Sequence, residues 1–425
     1  MNRKIISLLF IILPILSTAL VSLQPVSAQK REVNAVTTYS GTMNVTCYSS
    51  PDSTYDVLTS HLEEAEKEID LMIYAISHYN LVKILNDTMD RDPTIKINII
   101  ACDKHVSSAE TTNTRSAIWQ LSRKANLTSA DVHLYWSNGL KYDYTHAKFV
   151  IIDNKTVLVQ SANWAKTGAP RIISYGNREW GIVINDQNVV NRFIDVFYED
   201  LLIAEPTYGQ LYSSFSSSAS SGKYPMNFPA STFNQYMKIT PIFSPEDSLD
   251  AILDLINSAT KTLEIQQSYI KLDWGGGVSV NPLAEAVVNA SKRGVAVRII
   301  VQEPTSASNN ESVNYFLDNS IPVAFSNATY FEFCHNKGVI VDGVKVLISS
   351  INWSYTSVTQ NRESGVIVEN EDVAQFYLEI FNYDWSVSEQ LLPSSSNIPF
   401  EYIGIGSIIA VIVAVIALFL KKPKK

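Results

Sequence analysis

The hydrophobic and polar positions of this chain alternate between helical and strand-like spacing, and the same order of segments occurs twice. In the first half, two segments with helical spacing flank an apolar run at 69–76 that is typical of a buried strand, and further strands are predicted at 95–101 and 132–136. The second half repeats this order, with helices at 249–259 and 283–292 and strands at 263–270, 295–301 and 321–325. Strands that alternate with helices predict an α/β fold with a parallel sheet. The repetition predicts two tandem α-β-α sandwich domains packed with pseudo-two-fold symmetry.

Changes in composition predict where these domains begin and end. We place the first domain at residues 46–203 and the second at 236–392, separated by a serine-rich linker at 204–235. The polar residues at 29–45 show no periodicity and are predicted to be a flexible lead-in. A short spacer is predicted at 393–402.

Both ends of the chain are predicted to be membrane-related segments. Residues 1–28 combine a basic start, an apolar run and small residues before Gln29, which is typical of a secretory signal peptide, and Pro14 disfavours the alternative of an uncleaved anchor helix. Residues 403–420 are apolar and uncharged, which predicts a transmembrane helix, and the basic tail at 421–425 predicts its cytoplasmic end. We therefore expect a single-pass protein of the cell membrane with its folded body on the extracellular side.

A polar motif recurs at the same place in each half. At a constant offset of 189, residues 146–164 and 335–353 match at 10 of 19 positions without a gap. Because side chains alternate along a strand, the His and Lys of each copy share one face and the Asp lies on the other, which predicts a site role for the first two and a structural role for the Asp. Each copy ends in Ser-x-Asn-Trp, whose hydroxyl and amide can bind the oxygens of an anion. The residues are His146, Lys148, Asp153, Ser161 and Asn163, and His335, Lys337, Asp342, Ser350 and Asn352.

A second shared triplet, Asn-Arg-Glu, follows each motif by about thirty residues and contains Glu179 in the first copy and Glu363 in the second. A recurring carboxylate is a natural partner for the second nitrogen of a recurring imidazole, so we expect these glutamates to orient the histidines. Two histidines, two lysines and two Ser/Asn pairs around one centre suit a phosphate group. One imidazole can attack phosphorus while the other protonates the leaving oxygen. The chain lacks a carboxylate cluster typical of a Mg²⁺ site, so no metal is expected.

The pattern H-x-K-x4-D-x6-G-S-x-N, present twice, resembles the phospholipase D superfamily over roughly residues 50–390. Both copies depart from it at the glycine, which is Gln160 in the first and Ser349 in the second. The resemblance implies a phosphodiesterase that needs no metal or other cofactor and works through a phosphohistidine intermediate. It implies His146 as nucleophile and His335 as acid/base, although a symmetric site could use either order. It further implies phosphate binding by the two lysines and by the Ser/Asn pairs.

Composition and charge limit the partners of this protein. The chain is 46% hydrophobic and 18% charged, which is typical of a folded protein. Its formal net charge is −9, and six positive charges lie outside residues 29–402, so this body carries −15. A body that acidic does not attract polyanions through its overall field.

Three cysteines allow at most one disulfide, whose pairing the sequence leaves open, and eight glycosylation sequons suit an exported chain. The cysteines are Cys47, Cys102 and Cys334.

Three functions agree with these patterns. The first is a phosphodiesterase that cleaves phospholipid head groups, which the predicted membrane anchor and the acidic body favour. The second is an exported single-strand nuclease of the same fold, which the Asn-Trp after each serine favours and the net charge disfavours. The third is a catalytically inactive surface-binding module, which two complete sets of catalytic residues disfavour.

Overall fold

The computed structural model describes residues 36–171, 175–212, 228–275, 279–303 and 308–393. The predicted signal peptide at 1–28, transmembrane helix at 403–420 and basic tail at 421–425 lie outside these residues, as do most of the spacer and the middle of the serine-rich linker. Throughout the described ranges, every helix is too short or too polar to span a bilayer.

The first half contributes eight strands and four helices from the described residues. They are β1 (Tyr39–Ser50), α1 (Thr54–Glu63), β2 (Glu68–Ile73), α2 (Tyr79–Arg91), β3 (Lys96–Ala101), α3 (Ser108–Ala125), β4 (Asp131–Trp136), β5 (Lys148–Ile152), β6 (Thr156–Gln160), β7 (Glu179–Ile184), α4 (Gln187–Leu201) and β8 (Glu205–Pro206).

The second half repeats this order with eight strands and five helices from the described residues. They are β9 (Ser231–Ser244), α5 (Ser248–Asn257), β10 (Thr262–Gln267), α6 (Pro282–Lys292), β11 (Ala296–Val301), α7 (Ser308–Asp318), β12 (Val323–Phe325), β13 (Lys337–Val341), β14 (Lys345–Ser349), α8 (Tyr355–Thr359), β15 (Glu363–Glu369), α9 (Glu371–Val387) and β16 (Glu389–Leu391).

Helix starts follow from capping residues in the sequence. The Asp186 carboxylate accepts hydrogen bonds from the second and third amides of α4, and the Asn370 side chain accepts one from Val373 at the start of α9. Asn281 caps α6, whose first residue is Pro282. These contacts satisfy amides that have no partner inside a helix, so the beginnings of α4, α6 and α9 are encoded locally.

All described strands belong to one sheet that runs through both halves. Its order is β16-β12-β11-β10-β13-β14-β15-β9-β1-β7-β6-β5-β2-β3-β4-β8, so β1 and β9 pair at the centre and each half extends outwards in the same order. The expectation of a parallel sheet holds for β2-β3-β4 and β10-β11-β12, and the other pairs are antiparallel. The strands that contain the repeated motif form two hairpins, β5-β6 and β13-β14. Antiparallel neighbours of this kind can be joined by short turns.

The prediction of a flexible lead-in at 29–45 is wrong for residues 39–45, which form the first part of β1. The hydrophobic pattern does not predict this strand because few of its side chains are large and apolar. Met43 and Val45 alternate into the core, while polar residues of β1 pair with polar residues of β9, as the Thr46 and Thr232 hydroxyls do at 2.9 Å. β9 also begins inside the range predicted as linker.

Helices cover both faces of the sheet. One face carries α4 and α9, whose apolar residues form a core shared by both halves. The other face carries α1–α3 over the first half and α5–α7 over the second, each with its own core. Alternate residues of β5 show this division, because Phe149 and Ile151 belong to the shared core whereas Val150 and Ile152 belong to the first-half core. Lys148 therefore starts β5 on the face of Val150.

Candidate active site

The two copies of the motif meet where the halves join. Both motif histidines are tied by backbone hydrogen bonds to the Asn-Arg-Glu triplet of the other half. The His146 amide donates to the carbonyl oxygen of Arg362 at 2.7 Å, and the His335 amide donates to that of Arg178 at 3.1 Å. The fold therefore brings the repeated residues, 189 positions apart in sequence, around one centre.

The two glutamates hold the histidines, and they are exchanged between the halves. His146 Nδ1 lies 2.8 Å from Glu363 Oε2, and His335 Nδ1 lies 2.7 Å from Glu179 Oε1. The sequence pattern did not assign either glutamate to a particular histidine, and the structure pairs each histidine with the glutamate of the other copy. Because a carboxylate only accepts, Nδ1 carries the proton and Nε2 of each neutral ring is left with a free lone pair.

Ser161 and Ser350 hold the glutamates. The hydroxyl of Ser161 donates to Glu179 Oε2 at 2.6 Å, and that of Ser350 donates to Glu363 Oε2 at 2.6 Å. Each hydroxyl also accepts a backbone hydrogen bond, from Trp180 or Ser364, and both serines are fully buried. A hydroxyl has one proton to donate, so neither serine can donate to an anion while it holds its glutamate. This differs from the sequence prediction that the serines bind phosphate.

Lys148 and Lys337 are fully buried beside the histidines. Each ammonium donates to the backbone carbonyl oxygen of its own motif histidine. Burial lowers the pKa of Lys148 to about 7 and that of Lys337 to about 8, although both glutamates oppose the shift. Near neutral pH, each lysine is therefore close to its pKa and can readily gain or lose its proton.

Burial also controls the titration of the histidines and glutamates. It lowers the pKa of His146 to about 4, an effect that Glu363 opposes and Lys148 reinforces, and it lowers the pKa of His335 in the same way. Burial raises the pKa of Glu363, but the field of His146 and Lys148 and the hydrogen bonds from His146 and Ser350 outweigh it, so this pKa lies below its ordinary value. These protein groups by themselves therefore favour neutral imidazoles next to ionised carboxylates.

Asn163 and Asn352 follow the ends of β6 and β14. Their side-chain oxygens are buried and have no hydrogen-bond partner among the described residues. The structure thus places these amides next to the serines, as the Ser-x-Asn spacing predicts, with capacity for further hydrogen bonds.

Asp153 and Asp342 point away from the centre. The Asp153 carboxylate accepts backbone hydrogen bonds from residues 66–68, and that of Asp342 accepts them from residues 260–262. Both aspartates have a left-handed backbone with φ of 54°. They therefore fix the starts of β2 and β10 against the β5-β6 and β13-β14 turns.

Two buried arginines lie behind the site, and the sequence patterns had predicted no role for them. Arg178 forms ion pairs with Asp52 of its own half and Asp384 of the other, both at 2.8 Å. Arg362 pairs in the same way with Glu246 of its own half and Asp200 of the other. Each arginine precedes a glutamate that holds a histidine, so these pairs lock the register on which the exchange depends. Recurrence of the Asn-Arg-Glu triplet was the signal for both arginines.

The walls of the site differ between the halves. On the His146 side, the Tyr74 ring meets the imidazole edge-on with centroids 4.7 Å apart, and Lys148 Nζ lies 5.2 Å from the centre of the same ring. The strand registers place Ile73 beside Lys148 and Gln267 beside Lys337, so Ser268 takes the position of Tyr74 in the second half. Gln267 is buried, and its amide has no hydrogen-bond partner among the described residues. The first-half wall is therefore aromatic, whereas the second half places a buried amide beside Lys337 and the Phe333 ring 6.3 Å, between centroids, from His335.

The described residues show how this part of the chain stands with respect to metal binding and disulfide formation. They contain no group of three or more histidine, cysteine, aspartate or glutamate side chains that could hold a metal ion. Cys47, Cys102 and Cys334 are all buried and unpaired. Burial raises the pKa of Cys47 and Cys102 to about 12, which keeps both thiols protonated.

Comparisons with known proteins identify relatives of this chain. Among curated proteins, the chain is similar to a mitochondrial cardiolipin hydrolase from Xenopus tropicalis, 28% identical over 119 residues that cover 27% of this chain and 56% of that protein. It is also similar to phospholipase D Z from Dictyostelium discoideum, 28% identical over 131 residues that cover 28% of this chain and 31% of that protein. The chain spans about half the length of the curated relatives that it matches, or less.

Solved structures show the same fold at low identity. A phosphatidylserine synthase from Haemophilus influenzae Rd KW20 aligns with a TM-score of 0.60 at 13% identity, covering 87% of this chain and 93% of that one. A polyphosphate kinase from Porphyromonas gingivalis aligns with a TM-score of 0.52 at 14% identity, covering 84% and 51%. At these identities the likeness shows the fold alone.

A family model described as "Cardiolipin synthase, PLD-like domain" matches residues 58–201 and 252–385, which is one match in each half and more than half of the chain. The resemblance to the phospholipase D superfamily is thereby confirmed, and the chain belongs to this family of PLD-like domains.

Proposed function

We propose that this protein is a phosphodiesterase that cleaves a phosphodiester bond through a phosphohistidine intermediate, with the head-group bond of a phospholipid as the favoured substrate. The observation that carries the proposal is the pair of exchanged contacts, His146 with Glu363 and His335 with Glu179, around one centre that also contains two buried lysines. Two oriented imidazoles with free Nε2 atoms and opposite tasks are what a two-step displacement at phosphorus requires.

The first step uses the two rings differently. Nε2 of His146 attacks phosphorus while the P–O bond to the leaving group breaks, and Nε2–H of His335 gives its proton to the leaving oxygen. Glu363 stabilises the positive charge that forms on the phosphorylated His146 ring. In the second step, water gives a proton to His335 and attacks phosphorus, which breaks the P–N bond and restores both rings. Each residue returns to its starting state, and the reaction needs no redox partner.

Binding of the substrate phosphate changes the charge state of the site. An anion between Lys148 and Lys337 raises the pKa of both lysines and of His335, because it favours their protonated forms. Binding therefore charges the lysines and loads the acid on His335 at the moment at which they are needed. The side-chain amides of Asn163 and Asn352 bind the remaining phosphate oxygens. In this scheme Ser161 and Ser350 orient the glutamates, and Asp153 and Asp342 are structural.

A phospholipid is favoured over a nucleic acid for two reasons. The acidic body, −15 over residues 29–402, repels a polyanion, whereas one phosphodiester can reach a local pocket of two lysines. In addition, similar curated proteins are named cardiolipin hydrolase and phospholipase D. We also propose, from the sequence of both chain ends, that the body lies on the outer face of the cell membrane.

The proposal can be tested with three substrates. The full chain, purified in detergent with EDTA present, would be given bis(4-nitrophenyl) phosphate, phosphatidylcholine in vesicles and single-stranded DNA. We expect turnover of the first two, and loss of both activities in His146→Asn and in His335→Asn. Failure to turn over any of the three substrates would refute the proposed enzymatic activity. An active His146→Asn or His335→Asn variant would refute the mechanism that uses both histidines. Cleavage of single-stranded DNA without cleavage of phosphatidylcholine would favour the nuclease over the phospholipid-cleaving enzyme.

A further inference from the structure

Two large apolar side chains project into solvent at the edge of the sheet where the site lies. Val106 is 95% exposed and Leu140 is 80% exposed. Val106 follows the end of β3 and Leu140 follows the end of β4, and these parallel strands end together at Ala101 and Trp136. Lys148 pairs with the end of β2 at the same edge. Exposed aliphatic side chains are unremarkable singly, but here two lie on neighbouring loops beside one site.

The two loops touch each other and the catalytic centre. Lys104 Nζ lies 3.8 Å from the position that a Cβ atom on Gly139 would occupy, which brings the Val106 and Leu140 loops together. The Val106 amide donates to the Tyr74 hydroxyl at 3.0 Å, and the Tyr74 ring contacts His146. The exposed patch formed by Lys104, Val106 and Leu140 therefore continues directly to the aromatic wall of the site.

That wall is apolar beneath the patch. Tyr74, Ala75 and Cys102 form a small buried cluster with Tyr144 packed against it. The Tyr74 and Tyr144 rings have centroids 6.0 Å apart. A largely aromatic wall thus lies between the Val106 loop and His146.

The second half offers no such surface among its described residues. At the offset of 189, Thr329 takes the place of Leu140, and its exposed neighbours at this edge include Glu303 and Glu332. Among the described residues, exposed apolar side chains therefore lie on the first-half side of the mouth, and Glu303 and Glu332 lie on the other side. An acidic side and an acidic body oppose attraction to an anionic surface, so the apolar side must rely on burial of its aliphatic groups.

We propose that Val106 and Leu140 insert into the surface of a zwitterionic lipid bilayer or micelle and deliver the lipid to His146 along the aromatic wall. This proposal rests on the proposed lipid substrate and extends it to the mode of access. Burial of aliphatic side chains drives the contact, Lys104 meets the phosphate layer, and the polar second half faces water and the released head group. The contact is consequently insensitive to salt, in contrast to binding through a basic surface.

Location at the lipid surface can be measured with a fluorescent label. Because all three native cysteines are buried, a single Val106→Cys change allows selective attachment of an environment-sensitive dye to the full chain. We expect its emission to rise and shift to shorter wavelength when phosphatidylcholine is added. Leu127 is a matched control, because it is 78% exposed and precedes the start of β4 at the opposite edge. A dye on Leu127→Cys should not respond, and equal responses at both positions would overturn the proposal.

Activity gives the second measurement. In the double variant Val106→Ser and Leu140→Ser, turnover of phosphatidylcholine in vesicles should fall about tenfold or more, since two aliphatic insertions are lost. Turnover of soluble bis(4-nitrophenyl) phosphate should stay within about twofold of the unmodified protein. Unchanged lipid turnover, or an equal loss on both substrates, would refute insertion. If the unmodified protein turns over no substrate, the proposed function fails, while the dye at position 106 still decides whether the patch enters lipid.

Discussion

Replacing Glu363 with glutamine removes the negative charge that lies 2.8 Å from His146 Nδ1 and preserves the shape of the side chain. Two unit charges about 4 Å apart in a medium of effective dielectric constant 20 interact by about 4 kcal/mol. In the proposed mechanism, that energy stabilises the positive ring formed when His146 takes the phosphoryl group. Since about 1.4 kcal/mol corresponds to a factor of ten, the first step should slow by up to about a thousandfold.

Glu179→Gln is the matched change at the other histidine, and the two variants should fail at different steps. With bis(4-nitrophenyl) phosphate, the leaving phenolate is stable and needs little help from an acid. Glu179→Gln should therefore still release a burst of about one 4-nitrophenolate per site before slow turnover, because only the second step needs His335 as base. Glu363→Gln should show no burst.

Stopped-flow absorbance separates these outcomes when both variants are measured at the same protein concentration and the same excess of substrate. A burst in Glu363→Gln with none in Glu179→Gln would exchange the roles of the two histidines. Turnover within about threefold of the unmodified protein in both variants would refute the electrostatic reasoning itself, because it would leave the stabilisation worked out above without effect.

Three further changes test other parts of the site. The ratio kcat/KM for bis(4-nitrophenyl) phosphate should fall as pH rises through about 7 to 8, because the pKa values of Lys148 and Lys337 are lowered to about 7 and about 8. Both lysines lose their positive charge over this range. A flat profile up to pH 10 would contradict this. Ser350→Ala should lower kcat about tenfold and leave KM unchanged, since it loosens Glu363 by one charged hydrogen bond; a rise in KM alone would instead support phosphate binding by the serine. Asp153→Ala should lower the free energy of unfolding in urea by about 1–3 kcal/mol, because the backbone amides of residues 66–68 lose a charged acceptor. The kcat of the folded protein should not change, and equal stability of the variant would show that this carboxylate is dispensable.

The repeated motif predicted a mixed α/β fold with two PLD-like repeats, and the structure brings the histidines, lysines and glutamates of both copies around one centre. His-x-Lys, Ser-x-Asn and Asn-Arg-Glu recur at fixed spacing, and strand alternation by itself separates Asp153 from His146 and Lys148. The partners within that set were harder to predict. Pairing of each glutamate with the histidine of its own copy and pairing with that of the other copy are encoded by the same residues. Only the packing of the two halves across β1 and β9 distinguishes them.

Features that depend on small local energies were also missed. β1 carries mostly polar side chains, and its place at the centre of the sheet comes from backbone pairing with β9 and from a few inward residues such as Met43 and Val45. The serine hydroxyls could serve an anion or a carboxylate, and a difference of one hydrogen bond decides between them. The sequence contains both residues of each such contact, but it does not rank the alternatives.

The exchange of Glu179 and Glu363 also has a consequence for the making of this protein. His146 leaves the ribosome more than two hundred residues before Glu363, the carboxylate that orients it, so the growing chain has no complete catalytic centre until most of the second half has been synthesised. A fragment cut between the halves would carry a histidine and a glutamate that belong to different pairs. Under the proposed mechanism, activity is therefore tied to completion of the polypeptide, and partial products of translation or proteolysis should be inactive.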